Sequence, residues 1–324
     1  MLHTRFCELF GIEAPILQAA IWPATSPGLV AGVSEAGGLG SIGAVFGSAE
    51  SVRTQIERVQ ELTDRDFVVN HVVPLLDEEA FEATLEARPA AVSLALGDPG
   101  DLVSRVHSAG AKVIHQVHTV EQAKEAAERG VDVIIAQGSE AGGQGMAEGV
   151  GAMALVPQVV DAVDPIPVLV AGGVADGRGL AAALALGAAG ANVGTRFLAS
   201  EEAGAGDEWK QLILDAESED VVRFETWGAI MPPRPGGYDV TPRVIRTAFV
   251  TEWERRSDEA AGQADRLRGE IMGSVRRGRA AELTPFTGQT AGLIHDVLPA
   301  AEIVRALVAG AERAIERAGA PHAG

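Results

Sequence analysis

"PVLVAGGVADGRGLAAALALGAAGANVGTRF", residues 167–197, holds a short apolar run, a Gly-Gly break, a helical stretch and a second apolar run. "PVLVAGG" (167–173) is apolar without alternation, as a strand buried on both faces is. "DGRGLAAALALGAAG" (176–190) is amphipathic, and "GANVGTRF" (190–197) returns to a strand-like pattern. A helix between two such runs lets the strands lie parallel, which a tight hairpin cannot do.

The same unit recurs toward the N-terminus. Six further runs precede it: "PILQAAI" (15–21), "GLGSIGA" (38–44), "FVVN" (67–70), "AVSLALG" (91–97), "KVIHQV" (112–117) and "DVIIAQG" (132–138). Amphipathic stretches such as "SAESVRTQIERVQEL" (48–62) and "TVEQAKEAAERG" (119–130) separate them. Eight strand–helix units predict an α/β fold, a (β/α)8 TIM barrel. A doubly wound open sheet is the alternative, and no G-x-G-x-x-G opens the first unit to favour it. After Phe197 the pattern changes to the Pro- and Gly-rich "ETWGAIMPPRPGGYDVTPRV" (225–244) and a polar helical stretch. Residues 201–285 are therefore expected to form a small, mainly helical cap, with 1–200 and 286–324 forming the barrel. "LPAAEIVRALVAGAERAIERAG" (298–319) reads as the closing helix.

Composition limits the function classes. The chain of 324 residues has 45 acidic against 26 basic residues, a formal charge of −19. That argues against nucleic acid or an anionic membrane as partner. With 4% aromatic residues, a base-stacking platform is not expected. The apolar runs are too short for a membrane span, and "MLHTRFCELFGIEAP" lacks a signal-peptide pattern. The single cysteine, Cys7, excludes an internal disulfide framework and a Cys-based zinc site. A reduced, cytoplasmic setting is the expectation. No metal site is expected, because the seven histidines are not spaced with carboxylates as zinc ligands are.

A barrel carries its chemistry where strands end and βα loops begin. Gly172-Gly173 and Gly194-Thr195 end the last two runs. Glycines there free backbone N–H groups for close approach, and a short helix start adds positive dipole, so a phosphate site is expected. Tight turns alone are the plainer reading of these glycines. Arg196 either pairs with the phosphate or supports the sheet. "IIAQGSEAGGQGMAEG" (134–149) follows another strand, and its centre is Gln144, an amide without acid–base chemistry near neutral pH. Glu140 reads as a helix-start or loop residue. Trp22 and Tyr238, the one tyrosine, are candidate walls of a substrate pocket.

"APILQAAI" (14–21), "EAGGLGSIGA" (35–44), "FVVN", "KVIHQV", "AQGSEAGGQG" (136–145), "VLVAGGVADGRGLAAALALGAAG" (168–190), "VGTRFLASEEA" (193–203) and "TGQTAGLIHDVLPAAEIV" (287–304) resemble the nitronate monooxygenase family, formerly 2-nitropropane dioxygenases. FMN-dependent enoyl reductases look similar too. The resemblance implies a barrel with FMN across its C-terminal mouth. It implies that Gln18 and Ala19 lie against the flavin ring and that Asn70 contacts ring or ribityl. Gln116 stands where many members have a lysine near the flavin, so the resemblance counts it among the cofactor-binding residues. Gly172, Gly173, Gly194 and Thr195 would hold the phosphate, and Gln289 would lie close to the mouth.

The chain departs from the family at one position. The family's loop usually reads "EAGGH", with the histidine as catalytic acid or base, and Gln144 takes its place here. An amide cannot remove the α-proton of a nitroalkane, though it can donate a hydrogen bond to a nitronate or carbonyl oxygen. His71, after Asn70, is the first candidate for a relocated base, followed by His118 and His115. If Gln116 faces the flavin, strand alternation turns His115 toward the helices. The reading is an FMN-dependent oxidoreductase acting on a small nitronate-like substrate with O2. Its rivals are an NAD(P)H-dependent reductase of an enoyl or quinone substrate, a non-catalytic flavin binder and, more distantly, a flavin-free barrel such as a sugar-phosphate isomerase. A homodimer is left open.

Overall fold

The computed structural model describes residues 2–146, 148–232 and 234–319. In chain order, β1 (Ile16–Gln18), β2 (Gly40–Gly43), β3 (Phe67–Val72), β4 (Ala91–Ala95), β5 (Lys112–Val117) and β6 (Val133–Gln137) come first. β7 (Gly143–Met146) leaves the barrel, β8 (Val168–Ala171) and β9 (Gly190–Val193) rejoin it, and β10 (Val221–Arg223) and β11 (Val240–Ile245) lie beyond. The parallel sheet has eight strands in the order β1-β9-β8-β6-β5-β4-β3-β2. A bridge between Leu17 and Leu39 closes it, with Gln18 N donating to Leu39 O and Leu39 N to Ile16 O, each at 2.9 Å. All eight expected strands are present, and the fold is the (β/α)8 barrel.

The covering helices start where side chains cap them. Ser48, Asp77, Thr119 and Asp176 accept from backbone N–H groups at the starts of helices 49–62, 78–87, 120–128 and 177–185. The last barrel helix, Ala300–Gly319, returns after the cap and packs on helix 177–185.

The barrel interior changes character along its axis. Its lower layer is apolar: Leu17, Val68, Ala91, Ile114, Val133 and Leu169 cluster with Phe6 and Phe10 of the N-terminal helix. In a strand, residues two apart share a face. Two positions on from Val68, Ala91, Ile114 and Ile135 stand Asn70, Ser93, Gln116 and Gln137. The C-terminal end of the interior is thus lined by amides and hydroxyls.

Beside its helices the cap carries a small sheet. It contributes β10 and β11 to a three-stranded antiparallel sheet ordered β10-β11-β7. Its third strand, β7, is the glycine-rich segment that the sequence suggests is a loop. Glycines put no side chain in the way of pairing, and Pro242 opposite Gln144 accepts at its carbonyl from Phe224 N at 2.9 Å. Phe224, Trp227, Phe249, Trp253, Leu267 and Ile271 form a core within the cap. Trp209 and Ile213 of helix 207–215 instead pack into the main barrel cluster.

Candidate active site

Between the C-terminal mouth and the cap lies a cavity of about 750 Å³. It falls within the range of roughly 300–1,000 Å³ that holds small ligands. The barrel supplies its polar floor: Ser41, Asn70, Ser93, Gln116, Gln137 and Asn192. Strand register puts Asn70 beside Ser93, and Gln137 beside Ala171 beside Asn192. The cap supplies an apolar roof that includes Trp227, Met231, Ile271, Met272 and Phe286.

The loops over the floor are fixed by specific bonds. Glu140 accepts Ala152 N at 3.0 Å on both carboxylate oxygens, so it caps helix 152–163, as a helix-start residue should. Gln137 Nε2 donates to Gln144 O at 2.8 Å and ties β7 back to β6. Gly142 passes so close to the 287–292 segment that a Cβ on it would lie 2.5 Å from Gly288 N. Gly288 N in turn donates to Thr195 Oγ1 at 2.9 Å. Gly172 and Gly173 turn the chain after β8 with φ of +89° and +76°, a region that favours glycine. A Cβ on Gly173 would meet nothing within 4 Å, so open space faces it.

Most of the sequence-predicted residues converge here. Ala19, Trp22, Asn70, Gln116, Gly172, Gly194, Thr195, Tyr238 and Gln144 all line the cavity, and Gly173 stands exposed beside Gly172. Gln144 Oε1 and Asn192 Oδ1 are buried on the wall without a hydrogen-bond partner. Two predicted residues face elsewhere. Gln18 is buried, but its Oε1 accepts Ser41 N at 2.9 Å and its Nε2 donates to Ala19 O, so it is spent on joining β1 to β2. Gln289 is flanked by lining residues Gly288 and Thr290 and is not itself on the wall. Arg196 donates to Asp296 O at 2.9 Å and Asp296 Oδ1 at 2.8 Å, which settles it as support for the 294–298 segment.

The expectation for His71 is corrected. Asn70 faces the cavity, so alternation turns His71 into the helix layer. Its Nε2 lies 2.9 Å from Thr84 Oγ1, its ring meets Phe81 edge-on, and burial pushes it down to about 4. His115 is also turned from the floor, as expected; its Nε2 is 3.4 Å from the Tyr238 hydroxyl. Burial holds His115 and His118 down to about 4 as well, and pushes Tyr238 up to about 12. Among the described residues, the cavity wall has no His, Lys or Asp; its ionisable groups are Glu140, Tyr238, Arg234 and Arg268.

The floor residues Ser41, Ser93 and Asn192 and the cap residues Arg234 and Arg268 escape the sequence reading. The first three lie inside strands, before the strand ends. Counting back in twos from Gly43, from Ala95 and from Gly194 would have found them.

Residues 3–310 match the family described as nitronate monooxygenase. The chain belongs to the nitronate monooxygenase family. It is 36% identical over 267 residues to a probable nitronate monooxygenase of Staphylococcus saprophyticus, covering 68% of this chain and 75% of that one. A probable nitronate monooxygenase of Staphylococcus aureus is 32% identical over 321 residues, covering 85% and 87%. Among solved structures, FabK from Thermotoga maritima superposes with a TM-score of 0.88 at 33% identity, covering 98% of this chain and 99% of that one. A nitroalkane oxidase from Streptomyces ansochromogenes gives 0.82 at 27% identity, covering 97% and 99%. As a member of the nitronate monooxygenase family the chain is an enzyme, an FMN-dependent oxidoreductase. Its cavity fits that group: a floor of neutral amides and hydroxyls with an unpartnered Asn192 Oδ1 offers hydrogen bonds, and the space at Gly173 offers close backbone approach.

Proposed function

We propose that the enzyme oxidises a small, already ionised nitronate, with O2 as electron acceptor. The cavity's ionisable inventory carries this reading. Removing a proton from a neutral nitroalkane needs a positioned base. Glu140 spends both oxygens on Ala152 N, Tyr238 is held protonated, and Gln144 is an amide. A nitronate arrives without that proton and needs only orientation and a hydrogen-bond donor.

FMN, when bound, supplies the two-electron redox chemistry. Ala19, Asn70, Gln116 and Asn192 would face its ring and ribityl, and Gly172, Gly173, Gly194 and Thr195 its phosphate. Gln18 holds the floor by fixing Ser41, one shell away from the ligand. The Gln144 side-chain amide donates to a substrate oxygen. Trp22 and Tyr238 bound the substrate end, and the cap's apolar roof excludes water.

The extent of that roof favours a second reading, a reductase of a larger acyl-type substrate driven by NAD(P)H. Anaerobic mixing separates the two. Bleaching of the flavin by a nitronate and not by NAD(P)H supports the first; bleaching by NAD(P)H alone replaces it with the second.

A further inference from the structure

Behind the active-site segment, separated from the main cavity, lies a small cavity of about 10 Å³. That is room for about one water-sized particle or a monatomic ion. Its lining is unusual in charge. Arg223, Arg243 and His118 contribute side chains, and Ser139, Gly145 and Met146 belong to the segment that carries Gln144.

Among the described residues the two guanidinium groups make no ion pair. Arg243 Nε donates to Ser139 O at 3.0 Å and Nη1 to Val221 O at 3.2 Å, while Arg223 Nη1 donates to Met146 O. All three acceptors are neutral carbonyls. Glu140 and Glu225 act on Arg243 only at longer range, and Glu140 is occupied at Ala152 N. Arg243 is 9% exposed. Burying a cation without a counter-charge is costly. His118 is 2% exposed, and neither of its ring nitrogens makes a hydrogen bond. The Gln144 carbonyl and the Gln122 side chain face it, and that carbonyl also accepts from Gln137. Two guanidinium groups without a direct carboxylate partner and a buried imidazole therefore surround one small space.

We propose that this cavity is a binding site for a small monovalent anion, of chloride size, held by Arg223, Arg243 and a ring N–H of His118. The anion adds a direct counter-charge and links β10 and β11 to the segment bearing Gln144. The site is independent of which substrate the main cavity takes.

The test uses the intact protein. Sodium chloride is titrated against sodium gluconate at constant ionic strength while Tm is followed, and crystals grown in sodium bromide are measured at the bromine edge. The expected results are a bromide peak between His118 and the two arginines, and a saturable Tm rise of a few degrees with chloride only. The rise should disappear in Arg223→Gln and in His118→Leu. Density with no anomalous signal, together with equal Tm in the two salts, identifies a water and overturns the proposal. A chloride effect that persists unchanged in both variants overturns it too, because it places the ion elsewhere. If a variant does not fold, the wild-type titration and the bromide map decide.

Discussion

Two sets of polar side chains stand at the upper end of this barrel, and they differ in which way they face. Ser41, Asn70, Ser93, Gln116, Gln137 and Asn192 point inward and line the cavity. His71, His115 and His118 are buried and lie off that wall. The inward set cannot titrate near neutral pH. The outward set could, but burial holds all three histidines down to about 4. The three histidines lie off the cavity wall, and the barrel's polar side chains on it can only donate or accept hydrogen bonds. That contrast generates four predictions.

The largest effect is acid sensitivity. The folded pKa of about 4 for each buried histidine lies below the ordinary 6.5, so the folded state binds fewer protons than the unfolded one. Their contribution is complete above pH 6.5 and is lost as pH falls from 6.5 to about 4. Each histidine contributes about 1.4 kcal/mol per pH unit inside that window. Tm should therefore fall steeply below pH 6.5, and proton uptake on unfolding at pH 5 should drop by about one in His71→Gln. A flat Tm between pH 7 and 5 would show that the outward set is already charged.

Next is the return of a base to the inward set. Gln144→His should raise turnover of a neutral nitroalkane by about 10²–10⁴-fold, with little change on the matched nitronate. It should add a rate dependence near roughly pH 6–7. Steady-state rates on the two substrate forms measure this, and equal gains on both would show that Gln144 is not where a proton would move.

A smaller effect is expected at the proposed phosphate turn. A side chain at the positive φ of Gly173 costs roughly 1–2 kcal/mol. Space is open there, so Gly173→Val should stay folded while losing most of its FMN. Circular dichroism and the protein's flavin absorbance read the two separately, and full flavin retention would remove the phosphate assignment.

The smallest concerns His71. The Thr84 hydroxyl donates to Ala80 O, so it accepts from His71 Nε2–H. His71→Leu should cost about 1–2 kcal/mol of stability through this lost bond. Its kcat and pH profile should match wild type. A kcat falling tenfold or more would restore His71 as the relocated base.

How much could be read in advance follows the range of each interaction. The eight strands show in the sequence because a parallel strand covered on both faces must be apolar along its length. The glycine turns show because only glycine adopts their φ values cheaply. The cap strands do not show: β10 has three residues and β11 six, and both gain their hydrogen bonds from segments far along the chain. Gly143–Met146 carries no apolar pattern at all and becomes a strand only because β11 lies beside it.

The candidate site divides in the same way. Strand periodicity alone determined that Asn70 and His71 face opposite ways, as do Gln116 and His115; only the closed barrel showed that Asn70 and Gln116 take the inner face and that His71, a candidate base from the sequence, does not. Sequence also determined that residue 144 is an amide, which has no acid–base chemistry near neutral pH. Only the tertiary structure decided that Gln18 is consumed by Ser41, that Arg196 serves Asp296, and that Arg234 and Arg268 reach the cavity from the cap. Direction along a strand is a local consequence of backbone geometry, whereas the partner of a side chain depends on which distant segments the closed barrel brings within 3 Å or so of it.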